Sequence, residues 1–131
     1  MTKNESIIEK LKKLGLRPEI DEDGDIMVRY QMKRFFVIVG DEEDNYLSVL
    51  FPQFYEIEDG EQTLILATCN KLTRELKLAK VFVDHAFKSV SATCEFFYAD
   101  EESLEQNISN SFQMLGLVRS TFRNAKSELS E

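Results

Sequence analysis

The stretch DGDIMVRYQMKRFFVIV, residues 23–39, decides the fold class because it holds the signals of successive strands and tight turns. Its opening Asp-Gly pair is a strong hairpin signal, and the segments 26–31 and 34–40 are rich in the aromatic and β-branched residues of strands. We expect a tight turn near Met32 between them. The second segment is apolar throughout Phe35–Val39, which predicts a central strand covered on both faces of its sheet.

Helix and strand patterns flank this stretch on both sides. They predict a helix over 4–14, a further strand over 46–57 that Pro52 ends or places at an edge, a helix capped by Asp59, strands over 78–84 and 89–99, and a long helix after Asp100. The order is helix, about four strands, helix, two strands, helix. It predicts an α+β fold with a largely antiparallel sheet, in a single domain spanning residues 1–131.

The charge balance indicates which classes of partner to expect. The chain has 16 basic and 24 acidic residues, a net charge of −8, and no local basic patch stands out in the sequence. Such a chain repels phosphates and anionic lipid, so we expect neither a nucleic-acid nor a membrane partner. No segment approaches the roughly 20 apolar residues of a membrane span, and we expect a cytoplasmic location.

The segment EIDEDGDIMVRY, residues 19–30, has the alternating acids and glycine of an EF-hand calcium loop. That loop needs a bidentate Glu at its twelfth position and a helix on each side. Counted from Glu19, the twelfth position is Tyr30, and a strand pattern follows. The segment therefore predicts a hairpin turn, and we expect no bound metal or other cofactor.

Few other residues suggest catalysis. His85 is the only histidine and falls in a predicted turn, which excludes arrangements that use a second histidine. Cys69 and Cys94 lie at apolar positions, which predicts buried, reduced thiols. Glu95 should point outward from its alternating strand. We therefore expect a protein that is not an enzyme.

The last helix carries two sets of apolar residues. Its main stripe consists of Leu104, Ile108, Phe112, Leu115, Val118 and Phe122, and Gly116 within it predicts close backbone approach by a neighbour. A second, smaller set, comprising Met114, Leu117 and Thr121, points away from this stripe and predicts a homodimer interface. Apolar residues thin out from Asn124, so we expect the tail of this helix to fray.

Four features of the chain carry a family resemblance. These are the segment DGDIMVRYQMKRFFVIV, the later segment CNKLTRELKLAKVFVD (69–84), the alternating strand and the long last helix. In these four features the chain resembles the YbjN-like family. The resemblance spans about Gly15 to Phe122. It implies the fold of type III secretion chaperones and a small cytoplasmic bacterial protein, labelled a sensory transduction regulator. Such a protein is not an enzyme, is often dimeric and acts through protein contacts. Asn70 in the second segment is either an interaction residue or an ordinary surface amide.

Two functions therefore follow from the sequence. In the first, the protein is a chaperone-like or regulatory module that binds a partner protein segment through an apolar surface or an unpaired strand edge. In the second, it binds a small ligand, or acts as an enzyme, in a pocket between the sheet and the helices. A deep pocket converging on Asn70, His85 or Glu95 would favour the second.

Overall fold

A computed structural model describes residues 1–130, which form one six-stranded antiparallel sheet and three helices. In chain order these are α1 (Lys3–Lys13), β1 (Pro18–Ile20), β2 (Ile26–Tyr30), β3 (Lys33–Ile38), β4 (Tyr46–Glu56), α2 (Gln62–Glu75), β5 (Ala79–Val83), β6 (Ser89–Phe97) and α3 (Glu101–Leu129). The strand order across the sheet is β1-β2-β3-β4-β6-β5. The predicted order of elements and the α+β class are confirmed.

The hydrophobic core lies on one face of the sheet. Alternate strand residues and the inner residues of all three helices are buried in a single cluster, which includes Ile7, Leu11, Phe35, Val37, Leu47, Val49, Ile65, Leu72, Ile108 and Phe122. Within β3, Phe35 and Val37 are buried, whereas Phe36 is half-buried and Ile38 is 46% exposed. The prediction that this strand is covered on both faces is wrong, because the helices form one layer on one side only.

Strands β3 and β4 pair over a short length and then separate. Their register runs from Phe36 opposite Leu50 to Ile38 opposite Ser48, while β4 continues to Glu56 beside β6. The register of β4 against β6 shifts between Phe51 and Tyr55. Pro52 therefore lies where β4 has lost its β3 partner, and there its missing N–H breaks no ladder. β4 neither ends at this proline nor lies at an edge of the sheet, so the expectation is wrong, and the irregularity in β4 accommodates the residue instead.

The β2–β3 turn packs against the last helix. Gln31 and Met32 form the turn with φ of 51° and 64°, one residue earlier than the sequence suggested, and left-handed backbone at both positions suits a tight hairpin. A Cβ built on Gly116 would lie 2.9 Å from Gln31 Oε1 and 3.1 Å from a ring carbon of Tyr30. A neighbour thus approaches Gly116 closely, but it does so with side chains of the hairpin and not with the predicted backbone.

Helix α1 is anchored by a buried lysine. The Lys3 ammonium donates hydrogen bonds to the carbonyls of Val39, Asp41 and Tyr46 at 2.6, 2.9 and 3.0 Å, and its N–H donates to a Glu42 carboxylate oxygen at 3.0 Å. These bonds use all three ammonium protons and fix the start of the helix to the β3–β4 loop.

The start of α2 and the end of α3 share a polar cluster. Glu61 precedes α2 without capping it, and its carboxylate accepts from the Tyr55 hydroxyl at 2.7 Å and pairs with Lys126 at 2.9 Å. The expected cap at Asp59 is therefore wrong. Ala125 is buried and α3 extends to Leu129, so the expected fraying from Asn124 is wrong as well. Glu61 and Tyr55, which contact Lys126 near the end of α3, both lie far from it in sequence.

Candidate protein-binding surface

The second face of the sheet, which we call the open face, is not covered by any element of residues 1–130. Register places one row of side chains across it, from Glu19 through Met27, Phe36, Leu50 and Thr93 to Lys80. Met27, Phe36 and Leu50 are half-buried and neighbours in this row. The face thus presents a continuous apolar strip over β2, β3 and β4.

Further apolar side chains extend this strip. Ile38 is 46% exposed, Phe97 is 79% exposed and packs on Tyr46 with ring centroids 5.0 Å apart, and Phe82 on β5 is also exposed. Small hydroxyl residues occupy the centre of the face, namely Ser48, Ser91 and Thr93. Contiguous exposed apolar surface of this kind usually marks an interaction site.

Three polar residues of the open face, Tyr46, Lys80 and Glu95, are already paired with one another. Glu95 accepts a hydrogen bond from the Tyr46 hydroxyl at 2.5 Å and forms an ion pair with Lys80. The Lys80 ammonium and then the Tyr46 hydroxyl hold the pKa of the Glu95 carboxyl below its usual value, against a smaller effect of burial. Glu95 points outward, as predicted. A general acid at neutral pH needs a raised pKa, so this carboxyl is unsuited to that role.

Neither edge of the sheet is well suited to strand addition. At the β5 edge, the Val81 N–H donates to Thr73 Oγ1 at 3.0 Å, and the Thr73 hydroxyl donates to the Val81 carbonyl at 3.1 Å. One side chain from α2 therefore satisfies both polar backbone groups at the middle of this strand. At the other edge, β1 is three residues long and begins with Pro18, which has no N–H.

The second function needs a pocket that converges on Asn70, His85 or Glu95. Asn70 is exposed on α2, and His85 is exposed in the β5–β6 turn, as predicted for the histidine. Five surface cavities, of about 240 to 780 Å³, are lined by residues within 1–130, and none of the five includes Asn70, His85 or Glu95. The structure does not bring these three residues into one site.

The three residues predicted to form an interface on α3, namely Met114, Leu117 and Thr121, differ in their exposure and contacts. Leu117 is 59% exposed and, with Met114 and Leu78, lines a shallow apolar groove of about 340 Å³. Met114 also packs against the core, and the half-buried Thr121 donates its hydroxyl to the Leu117 carbonyl at 2.8 Å. The sequence placed Leu78 at the start of a strand over 78–84, but β5 begins at Ala79 and Leu78 lies in the α2–β5 connection, so its part in this groove was not predicted.

Both cysteines are buried and free, as expected. Burial raises the pKa of each thiol to about 11, although in Cys94 a hydrogen bond with Ser111 opposes the effect. A thiol with a pKa this high carries little thiolate at neutral pH and is a weak nucleophile. These residues therefore behave as apolar core groups.

The acidic loop forms a turn that precedes β2. The N–H groups of Asp23 and Asp25 both donate to Asp21 Oδ1, at 2.9 and 2.8 Å, and the three carboxylates come within 4.8 Å of one another. A strand follows the loop where an EF-hand would have its second helix. The hairpin-turn interpretation is confirmed, whereas the absence of calcium binding stays a prediction.

Comparison with known proteins now adds to this geometry. Residues 3–120 match a family model described as "T3SS (YopN, CesT) and YbjN peptide-binding chaperone 1". The chain belongs to the TY-Chap1 family. The resemblance to YbjN-like proteins, drawn from two sequence segments, is thereby confirmed. Among curated protein sequences, none matches the chain significantly.

Solved structures agree with the TY-Chap1 assignment. YbjN from E. coli superimposes with a TM-score of 0.66 at 11% identity, covering 95% of this chain and 92% of that one. A HopA1–SchA chaperone–effector complex gives 0.56 at 12% identity, covering 89% and 92%. A protein from Methanothermobacter thermautotrophicus gives 0.51 at 17% identity, covering 98% and 94%. At these identities the similarity establishes the fold alone. Within residues 1–130, no helix has the length and hydrophobicity needed to span a membrane.

Proposed function

We propose that this TY-Chap1 protein binds an extended segment of a partner protein across the open face of its sheet and catalyses no reaction on it. The observation that carries the proposal is the apolar strip of Met27, Phe36 and Leu50, extended by Ile38 and Phe97, on a face without covering helices. Each 100 Å² of such surface removed from water contributes about 2.5 kcal/mol before the costs of association.

The edges of the sheet are poor sites for strand addition, which favours binding across the open face. Strand addition requires free N–H and C=O groups along an edge. Thr73 occupies those groups at Val81, and β1 offers only a short edge beginning with proline. A partner segment therefore gains more by placing apolar side chains on the open face.

The non-enzymatic part of the proposal rests on the titratable groups. The pKa of Glu95 is lowered, the pKa values of Cys69 and Cys94 are raised to about 11, and the sole histidine is exposed in a turn. None of these groups has both the protonation behaviour and the enclosed surroundings of a catalytic residue. The description of the family as peptide-binding points in the same direction.

We further propose that the protein acts as a cytoplasmic homodimer, so that two open faces serve one partner or two. The groove of Leu78, Met114 and Leu117 supports self-association, since a second copy would remove these apolar side chains from water. This groove lies on the helical side of the molecule. A dimer built there leaves both open faces accessible.

The test compares two half-exposed aliphatic residues on opposite sides of the protein. Ile38→Glu places a charge on the open face, and Leu66→Glu places one on the outer face of α2, where the side chain is similarly exposed. Tagged protein is used to capture a stoichiometric partner from the native cell, and the complex is reconstituted from purified components. We expect wild type and Leu66→Glu to bind equally and Ile38→Glu to lose binding at least tenfold, because an unpaired charge must be desolvated. Equal binding by Ile38→Glu would refute a site on the open face.

A further inference from the structure

A cleft opens where β3 and β4 separate, between the β2–β3 hairpin and α3. Beyond Phe36 and Leu50 the two strands no longer pair, and the gap between them has a volume of about 240 Å³. Its walls include the apolar side chains of Phe51, Pro52 and Phe54. The cleft is therefore a by-product of the irregular course of β4. Arg34, which lines it, shares the open face with Phe36, a residue of the apolar strip.

The cleft is basic, although the chain as a whole is acidic. Lys33 and Arg34 from β3 and Arg119 from α3 line it, and no carboxylate does. Arg29 on β2 lies directly opposite Arg34, an arrangement of like charges that destabilises a sheet. The sequence did not reveal this cluster because α3 supplies one member from far along the chain.

These cations have no acidic partner within the described chain. All five ion pairs among residues 1–130 are made by lysines at other positions, and none of the six arginines takes part in one. Arg34 lies over the ring of Phe36, 5.6 Å from its centroid. Its guanidinium is thus positioned at the boundary between the cleft and the apolar strip, with its hydrogen-bond donors free for a planar anion.

The hairpin beside the cleft has left-handed backbone at its turn and packs against α3. Gln31 and Met32 have positive φ although neither is glycine, and so does Gln53 on the opposite wall. Contact of Tyr30 and Gln31 with Gly116 fixes the hairpin to α3. The hairpin therefore sets the backbone positions from which Lys33 and Arg34 extend towards the cleft.

We propose that the cleft binds the carboxylates of an acidic partner segment whose apolar residues lie on the open face. The proposal rests on the function proposed above and specifies the chemistry of the partner, namely Asp or Glu side chains next to aromatic or aliphatic ones. The net charge of −8 does not oppose this, since at about 0.15 M salt charges more than roughly 8 Å apart are largely screened. The local cluster then determines the preference.

The test uses synthetic peptides of about 12 residues, which at about 3.3 Å per residue exceed the width of the sheet. One fluorescein-labelled peptide alternates Val or Phe with Asp or Glu. A second replaces the acids with Asn and Gln, and a third replaces them with Lys. Binding to the intact protein is measured by fluorescence anisotropy in about 0.15 M salt. We expect the acidic peptide to bind roughly tenfold more tightly than the amide peptide, and the Lys peptide to bind most weakly.

Paired substitutions assign that preference to the cleft. Arg34→Gln combined with Arg119→Gln should abolish the advantage of the acidic peptide and leave the affinity of the amide peptide unchanged. Both side chains are exposed, so the fold should persist, and Arg74→Gln on α2 is the matched control that should keep the advantage. Ile38→Glu should weaken the amide peptide, which tests the open face separately from the cleft.

Three outcomes would overturn the proposal. Equal affinities of the acidic and amide peptides would remove the need for a cationic subsite, even where Ile38→Glu still supports the open face. An acidic preference that survives the double substitution would place the cations elsewhere. A labelled single-stranded DNA that binds more tightly than the acidic peptide, and loses binding on the double substitution, would assign the cluster to phosphate.

Discussion

At the scale of single residues, Lys3 joins the first turn of α1 to the β3–β4 loop. A lysine ammonium is seldom buried, because desolvation of the charge is unfavourable unless its donors are satisfied. In this protein three backbone carbonyls accept from it, all from the segment between the end of β3 and the start of β4. Lys3 thereby stabilises the loop as well as the helix.

We predict that Lys3→Met reduces the free energy of unfolding by about 2 kcal/mol, because hydrogen bonds from a charged donor are lost and three partly buried carbonyls lose their partner. Urea unfolding followed by circular dichroism measures the change. Lys12→Met alters an exposed lysine of the same helix and should change stability by less than about 0.5 kcal/mol. Equal effects of the two substitutions would show that the three carbonyl bonds contribute little.

The loop of Asp21, Asp23 and Asp25 gives a second prediction at this scale. Since one Asp21 oxygen is already used by two N–H groups and no twelfth-position glutamate follows, we expect no specific calcium site. The melting temperature should stay constant as calcium is added up to about 1 mM, because only a ligand bound by the native state raises it. A saturable increase at micromolar calcium would contradict this.

At the scale of elements, the contact between α2 and β5 shows how an exposed edge is protected. Thr73 is an exposed helix residue, yet its single hydroxyl both donates to and accepts from Val81. Such coverage prevents edge-to-edge pairing between molecules, which is a common route to aggregation.

We predict that Thr73→Val, which preserves the shape of the side chain, lowers the free energy of unfolding by about 1 kcal/mol and promotes association. Light scattering over a concentration series should show more high-mass species than in wild type. Thr63→Val, at an exposed position of the same helix, is the control and should behave like wild type. Unchanged association of Thr73→Val would mean that the β5 edge is protected by other means.

Local sequence patterns predicted the helices and strands well. They predicted less well which faces of the strands are packed against other elements. The alternation in β6 and the stripe of α3 gave both elements and their core faces, because such periodicities depend only on neighbouring residues. The apolar run of β3 led to the wrong prediction that both faces of this strand are covered, because composition does not tell whether a second layer of helices exists. The basic cleft depends on Arg119 meeting Arg34, a contact between distant parts of the chain that periodicity cannot show.

At the scale of the whole molecule, ion pairs and hydrogen bonds to carboxylates link the elements. Burial raises the pKa of Glu61, but the Glu58 N–H, the Lys126 ammonium and the Tyr55 hydroxyl together outweigh it and lower the pKa. The same direction holds for Glu101, mainly through Lys10. A carboxyl with a lower pKa in the folded state stabilises the fold above its unfolded pKa, and this contribution is lost as the pH falls through the folded value.

We therefore predict that the melting temperature falls as the pH is lowered from about 5 to about 3. Glu61→Gln should melt at a lower temperature than wild type at pH 7, and the two should converge at low pH, where the wild-type carboxyl is protonated. Scanning calorimetry over this range measures both curves. Glu22→Gln, which changes an exposed glutamate in the β1–β2 turn, should follow the wild-type curve. A constant offset between Glu61→Gln and wild type would exclude Glu61 from the acid transition.

The proposed homodimer is also a property of the whole molecule. Light scattering at micromolar concentration should give about twice the chain mass of 15.2 kDa. Leu117→Glu should return the mass to that of one chain, because it places a charge in the groove with Leu78 and Met114. Leu66→Glu is the exposed control. A wild-type monomer would refute the homodimer, and a dimeric Leu117→Glu would place its interface elsewhere.

The hydroxyl of Thr73 also bears on the order of events during synthesis. Only eight positions separate Thr73 from Val81, and α2 leaves the ribosome before β5 does. Contacts between residues so near in sequence form faster than the distant pairing of β4 with β6. As soon as β5 exists, the group that covers its outer edge is already beside it. The nascent sheet is thus protected on that side before its centre is complete.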